Sequence, residues 1–245
     1  MNKGIVTICA FLLVFAVTLG VVLAAEPYGA SDVTENAEST GNGSAVTPGN
    51  HSAIAGNVTE ITITGASITQ AWQGYYGNVS GTIQLADSSD NIFYNWSTTD
   101  AEGEIFASTN DSISWSDVGC FALTNDSISG NLTLLESTFG IASSDADGVN
   151  ETFTLNNHAG FSIATTSFSS GECNNTKVFG PNGAATFDEA LMYDSGTNST
   201  VFASILSDDT SGFDSSVHDF EMLVLEDGHS GDVSTTPYFF YVELE

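Results

Sequence analysis

Short alternating runs dominate the chain from Thr59 onward. Glu60-Ile-Thr-Ile-Thr64 places apolar and polar side chains in strict alternation, and residues 79–85 continue the pattern. Successive side chains of an extended strand point to opposite faces, so a period of two predicts half-buried strands rather than helix. The same reading predicts strands over residues 91–96, 104–108, 152–155, 160–165, 186–193, 200–206, 220–225 and 238–244, with Gly, Asn, Asp and Ser clusters as turns between them. Only Asn131-Leu-Thr-Leu-Leu-Glu136 suits a short turn of helix in a crossover. The predicted fold class is all-β, an antiparallel β-sandwich of Ig-like or jelly-roll type.

Two segments stand outside that pattern. Residues 1–25 contain an uncharged, mostly apolar run from Ile5 to Ala25 behind a single Lys, with small residues at Ala24 and Ala25. This is the pattern of a cleaved signal peptide. The run is also long enough for a retained N-terminal membrane helix, and Lys3-Gly4 ahead of it fits prepilin-type processing. Residues 26–58 are rich in Ser, Thr, Gly, Asn and Glu, carry Pro27 and Pro48, and show no apolar period, which predicts a solvated linker. Residues 59–245 remain for the β-sandwich domain.

Export is supported by eleven N-x-S/T sequons, none with Pro at the middle position, at Asn42, Asn50, Asn57, Asn78, Asn95, Asn110, Asn125, Asn131, Asn150, Asn174 and Asn198. Each is a candidate glycosylation site, which requires an accessible asparagine in a compartment that attaches glycans. No sequon follows Asn198, so the two last predicted strands are expected centrally in a sheet or against a neighbouring subunit, where a glycan has no room. Cys9 lies in the leader, leaving Cys120 and Cys173 as the expected disulfide of an oxidising compartment.

Charge narrows the partners. The chain has 31 Asp and Glu against 2 Lys and Arg, a formal net charge of −29, yet only 13% of its residues are charged. Cations are depleted rather than acids multiplied, since about 25% charged residues of both signs is usual. Nucleic acid and anionic membrane surfaces both call for clustered Lys or Arg, so neither is an expected partner; membrane contact is expected only through the N-terminal segment if it is retained. The expected partners are cell-envelope components or copies of the protein itself, together with its N-glycans.

One aromatic block, Gly65-Ala-Ser-Ile-Thr-Gln-Ala-Trp72-Gln-Gly-Tyr75-Tyr76-Gly-Asn-Val-Ser80-Gly, offers Trp72, Tyr75 and Tyr76 as a sugar-stacking platform or as core or corner packing of a sandwich. Together with Asp219-Phe-Glu-Met-Leu-Val-Leu-Glu-Asp-Gly228 and Pro237-Tyr-Phe-Phe-Tyr-Val-Glu-Leu244, this block resembles sequence found in archaeal secreted surface proteins. The resemblance covers separate pieces, implies location rather than activity, and carries over no functional residue. An apolar segment ahead of a glycosylated β domain is also similar in plan to archaeal pilins and archaellins, which normally continue the helix where this chain has its linker.

Acidic turns offer a metal reading. Ser143-Ser-Asp145-Ala-Asp147-Gly148-Val-Asn150-Glu151 partly matches the calcium-loop pattern, with Ser at its first position and Thr154 where the closing Glu belongs. Asp145, Asp147 and Glu151 are thus the candidate calcium ligands, with a solvated loop as the alternative. No nucleophile elbow, zinc-protease pair, phosphate loop or dinucleotide fingerprint occurs, and His218-Asp219 and His229 near Glu226 and Asp227 sit where exposed turn residues are ordinary. The expected function is therefore a non-enzymatic structural or adhesive surface glycoprotein. A pilin-type filament subunit and a carbohydrate- or calcium-binding extracellular module are the alternatives.

Overall fold

The computed structural model describes residues 26–41, 43, 47–97, 102–126, 128–179, 185–228 and 235–244. Residues 1–25, with their three leader readings, lie outside the described residues, as does Asn42. Among the described residues no helix is long and apolar enough to cross a membrane.

The described residues form seventeen strands and little helix. In chain order the strands are β1 (Tyr28–Gly29), β2 (Trp72–Gly77), β3 (Thr82–Ala86), β4 (Ile92–Ser97), β5 (Gly103–Ser108), β6 (Val118–Cys120), β7 (Asn125–Asp126), β8 (Gly130–Asn131) and β9 (Phe161–Ile163). They continue as β10 (Thr166–Phe168), β11 (Asn175–Phe179), β12 (Ala185–Asp194), β13 (Ser199–Ile205), β14 (Thr210–Ser211), β15 (Val217–His218), β16 (Phe220–Leu225) and β17 (Phe239–Leu244). Every pairing is antiparallel, so the expected all-β, antiparallel class holds.

The main sheet runs β1-β17-β5-β13-β12-β11, and β6 joins β12 beyond the end of β11. Both of its faces are covered. On one, Ile105, Ala107, Leu191, Tyr193 and Phe202 meet Met222, Val224 and Leu225 of β16, with Phe121, Val149 and Phe153 alongside. On the other, Phe106, Ala190, Met192, Val201, Ala203 and Tyr241 lie under Trp115 and under the β9–β10 hairpin with Phe161, Ile163 and Phe168. Neighbouring residues of one strand thus enter different cores, which explains the unbroken apolar stretches 190–193 of β12 and 201–203 of β13. The β2–β16 ribbon is the outer layer on the first face.

The Cys120–Cys173 disulfide forms where two strands share one edge. β6 reaches Met192 of β12 at Cys120, and β11 reaches Ala190 of β12 at Asn175. The Leu191 N–H donates to the Asn174 carbonyl and the Leu191 carbonyl accepts from the Phe121 N–H, closing the ladder across that junction. Buried His158 supports the same corner, its Nε2 accepting the Cys173 N–H at 3.0 Å.

Several predicted elements come out differently. Residues 60–64 belong to no strand, and Ile61 and Ile63 are exposed. Residues 152–155 begin in the helical turn Val149–Thr152, where Gly148 precedes the first turn and accepts the Thr152 hydroxyl, and only Leu155 makes an isolated bridge, to Asn175. Trp72–Gly77 of the aromatic block form strand β2, from which Trp72 and Tyr75 pack against the first core. β16 and β17 are not partners of each other: β16 pairs with β2, while β17 lies beside β5 with only two-residue β1 on its other side. That contact also gives the linker a packed start, since Pro27 is buried and Ala30 N–H donates to the Phe240 carbonyl. The expected short helix is present as Leu132–Thr138, its first turn capped by the Asn131 side chain accepting from Leu134 N–H.

Candidate functional surface

The sequon asparagines lie at the periphery of the sheet. Asn50, Asn57, Asn78, Asn95, Asn125, Asn150 and Asn198 are exposed, and Asn110, Asn131 and Asn174 are half-buried. The amide nitrogen is the attachment atom, so its engagement matters. Asn131 and Asn198 use their carbonyl oxygens, as the helix cap and as acceptor for the Tyr193 hydroxyl, which leaves the amide nitrogen outward. Asn110 and Asn174 are both half-buried with the amide nitrogen engaged, donating to the Ser199 hydroxyl and to the Phe121 carbonyl respectively.

Trp72, Tyr75 and Tyr76 do not form one platform. The Trp72 indole N–H donates to the Asp147 carbonyl at 2.6 Å, and its ring packs on Phe153 and Phe202. Tyr75 meets Phe240 edge-on at 5.2 Å, and burial raises its hydroxyl pKa. Tyr76 alone is exposed, against Phe213 and His218.

The acidic loop is likewise committed to structure. Asp145 accepts from Ala142 N–H, Asp147 accepts from the Thr69 hydroxyl, and exposed Glu151 meets the Asn150 amide. The three carboxylates therefore point to different partners, and among the described residues no group of three or more His, Cys, Asp or Glu side chains is placed to hold a metal ion. His218 pairs with Asp214 at 2.9 Å rather than with Asp219, whose carboxylate accepts from Val79 and Asp209 N–H. His229 lies outside the described residues.

Sequence reasoning missed a set of buried carboxylates. Lys177 is the one Lys or Arg among the described residues and is paired with Asp188 at 2.8 Å, so the buried acids find main-chain donors instead. Asp194 accepts from Ser114, Gly196 and Thr197 N–H, Glu136 from Val149, Glu243 from Ala164, Glu221 from Phe213, and Glu189 from Leu223. Asp194, Glu189 and Glu243 tie a loop, strand β16 and the β9–β10 hairpin to the main sheet, while Glu136 joins the two helical segments and Glu221 holds the Phe213 loop to β16.

Glu189 is the extreme case. It is fully buried between β12 and β16, and desolvation pushes its carboxyl well above the usual carboxylate range, with the Leu223 N–H pulling the other way. The folded state then holds the proton to higher pH than the unfolded chain does. The stability this group contributes is complete below the ordinary value of 4.5 and is lost as pH rises through the folded value. Burial shifts Glu221 in the same direction. In about 1 M salt, which suppresses general repulsion, the melting temperature is expected to fall from mildly acidic to alkaline pH, and Glu189→Gln is expected to flatten that slope. A slope unchanged by Glu189→Gln would show that other groups control it.

Two further features have no counterpart in the aromatic block or the acidic loop. A groove of about 330 Å³ opens between the Leu132–Thr138 helix and the start of β13, floored by Phe121, Tyr193, Phe202 and Tyr238 and flanked by Asn131 and Asn198. The β3–β4 hairpin stands off the body, with Ile83, Leu85, Tyr94 and Trp96 all exposed. The strand at 91–96 was legible in the sequence; that nothing covers its apolar side was not.

No family model, no curated protein and no solved structure matches this chain.

Proposed function

We propose that the protein is an exported, N-glycosylated cell-surface protein, either secreted or held by its N-terminal segment, with a structural or adhesive role and no enzymatic activity. The observation that carries this reading is the peripheral placement of all ten described sequon asparagines, seven of them exposed. The Cys120–Cys173 bridge fits an oxidising compartment. The antiparallel layers are read as a sandwich of Ig-like or jelly-roll kind, with residues 26–58 as the linker that separates it from the cell envelope. The near absence of cations favours envelope components and copies of the same chain over nucleic acid.

Intact mass and glycopeptide analysis of protein from its native host tests the reading. Glycans are expected at the exposed sequons, with lower occupancy at Asn110 and Asn174, and the mass reports whether the mature chain starts near Ala25, at Ile5 or at Met1. Native protein with no glycan at any sequon would sink the proposal.

A further inference from the structure

An amphipathic hairpin and an unpaired strand-like segment occur in the same chain. In β3–β4 the register pairs Ile83 with Trp96 and Leu85 with Tyr94 on one face, and Gln84 with Asn95 on the other. The apolar face is open, with Tyr94 55% and Trp96 49% exposed and their rings 4.6 Å apart. The hairpin is held by its own turn, where the Asp87 carboxylate accepts from Ser89 and Asn91 N–H and from the Asn91 amide. A two-stranded hairpin without a packed face is marginal in water, whereas three strands reach independent stability. Among the described residues, neither of its outer edges is paired.

Residues 59–64 have the complementary pattern. Ile61 and Ile63 share one face of an extended strand, Glu60, Thr62 and Thr64 the other, yet among the described residues the segment pairs with no strand, and Ile63 is 83% exposed. Added beside β3, it places Ile61 and Ile63 with Ile83 and Leu85, and its polar residues with Gln84 and Asn95. A glycan on Asn95 then projects from the polar face, and β3 itself carries no sequon.

We propose that residues 59–64 of one copy add as a strand to the β3 edge of a second copy, so that the protein assembles with itself through strand addition. Within one copy the described structure leaves donor and acceptor unpaired, and the pairing is placed between copies on that ground. The donor enters the body at the Trp72 end of β2, where the Thr69 hydroxyl is bonded to Asp147, and the hairpin leaves after the Gly77 end. The six residues of β2 separate these ends by about 17 Å at about 3.4 Å per residue. A contact between two different surfaces of the same molecule is head-to-tail and propagates into chains unless it closes into a ring. Glu60, Asp87 and Asp90 bring only negative charge to the contact, and each copy carries a net −29. Assembly is therefore salt-dependent, growing as the Debye length falls from about 10 Å at 0.1 M to about 3 Å at 1 M.

The choice of a second copy as occupant rests on the reading of a surface protein that associates with itself. Sedimentation velocity of the full protein in low and high salt tests the proposal. Concentration-dependent oligomers are expected near 1 M salt, and Ile61→Asp with Ile63→Asp, or Leu85→Asp alone, should each leave a monomer with an unchanged melting temperature. Trp96→Ser serves as a second acceptor variant should Leu85→Asp melt lower. Mixing the donor and acceptor variants should yield a 1:1 dimer and nothing larger, because each supplies the half that the other lacks. A peptide spanning residues 58–65 should dissociate wild-type oligomers. Oligomers that survive the donor substitutions but not the hairpin ones would overturn strand addition in favour of hairpins meeting face to face. A protein that is glycosylated in its host but monomeric at every salt concentration would overturn this proposal while leaving the surface-glycoprotein reading intact.

Discussion

Cys120→Ser is expected to destabilise the folded protein by about 4 kcal/mol, and Cys173→Ser by the same amount. The bridge spans a sequence separation of 53 residues, and closing a loop of that size removes about 4 kcal/mol of unfolded-state freedom in the chain-entropy model. For a domain of this size the melting temperature should drop by roughly 10 °C. Position in the fold sharpens the expectation. The bridge joins β6 to the entry of β11, two short strands that share one edge of β12, so its loss frees both from the same ladder. The double variant should be no less stable than either single one, since one bridge cannot be lost twice. Additive losses in chemical or thermal denaturation would show that each cysteine also acts on its own.

Phe202→Ala should cost a comparable amount, about 3–5 kcal/mol, the usual range for emptying a buried aromatic site. Phe202 lies at the centre of the first core, with ring contacts to Trp72, Phe153 and Tyr238 at 6.1–6.5 Å between centroids. Those rings come from β2, from the residue that ends the Val149–Thr152 turn and from the approach to β17, so the substitution loosens three outer segments at once. Near-ultraviolet circular dichroism should report it through Trp72 as well as through the lower melting temperature. Phe202→Leu, which keeps much of the volume, should lose less. Equal losses for Ala and Leu would mean that ring contacts, rather than filled space, hold the layers together.

Strands with a strong local pattern were legible in the sequence. Residues 220–225 were predicted as a strand and form β16 with those bounds, and the predictions at 104–108 and 186–193 fall within β5 and β12. β2 was not recognised, because glycines between aromatic residues give no clean alternation. Residues 60–64 show the reverse. Their alternation is as regular as any in the chain, but the period of a segment describes how it could pair and does not supply a partner.

Nearness in sequence did not bring candidate side chains together in space. Trp72, Tyr75 and Tyr76 are close in sequence, yet Tyr75 and Tyr76 are successive residues of β2 that point to opposite faces, and the three rings reach different neighbours. Asp145, Asp147 and Glu151 are also close in sequence, but the first two are taken by the Ala142 N–H and the Thr69 hydroxyl. Glu189 gave no local signal, since its burial depends on β16 lying across β12.

The sequence by itself determined the all-β class, most strand positions, the one available cysteine pair and the polar, cation-poor surface, because alternation, residue counts and sequon spacing are properties of short stretches or of the whole composition. Tertiary structure decided which strands are neighbours, that both faces of the main sheet are covered, which acids are buried against main-chain donors, and that the β3–β4 hairpin is left open. Those features depend on contacts between residues far apart in the chain, such as Trp72 with Leu225 and Val79 with Asp219, and each such contact forms only when the burial and hydrogen bonds of the whole assembly outweigh the entropy of closing the loop between them.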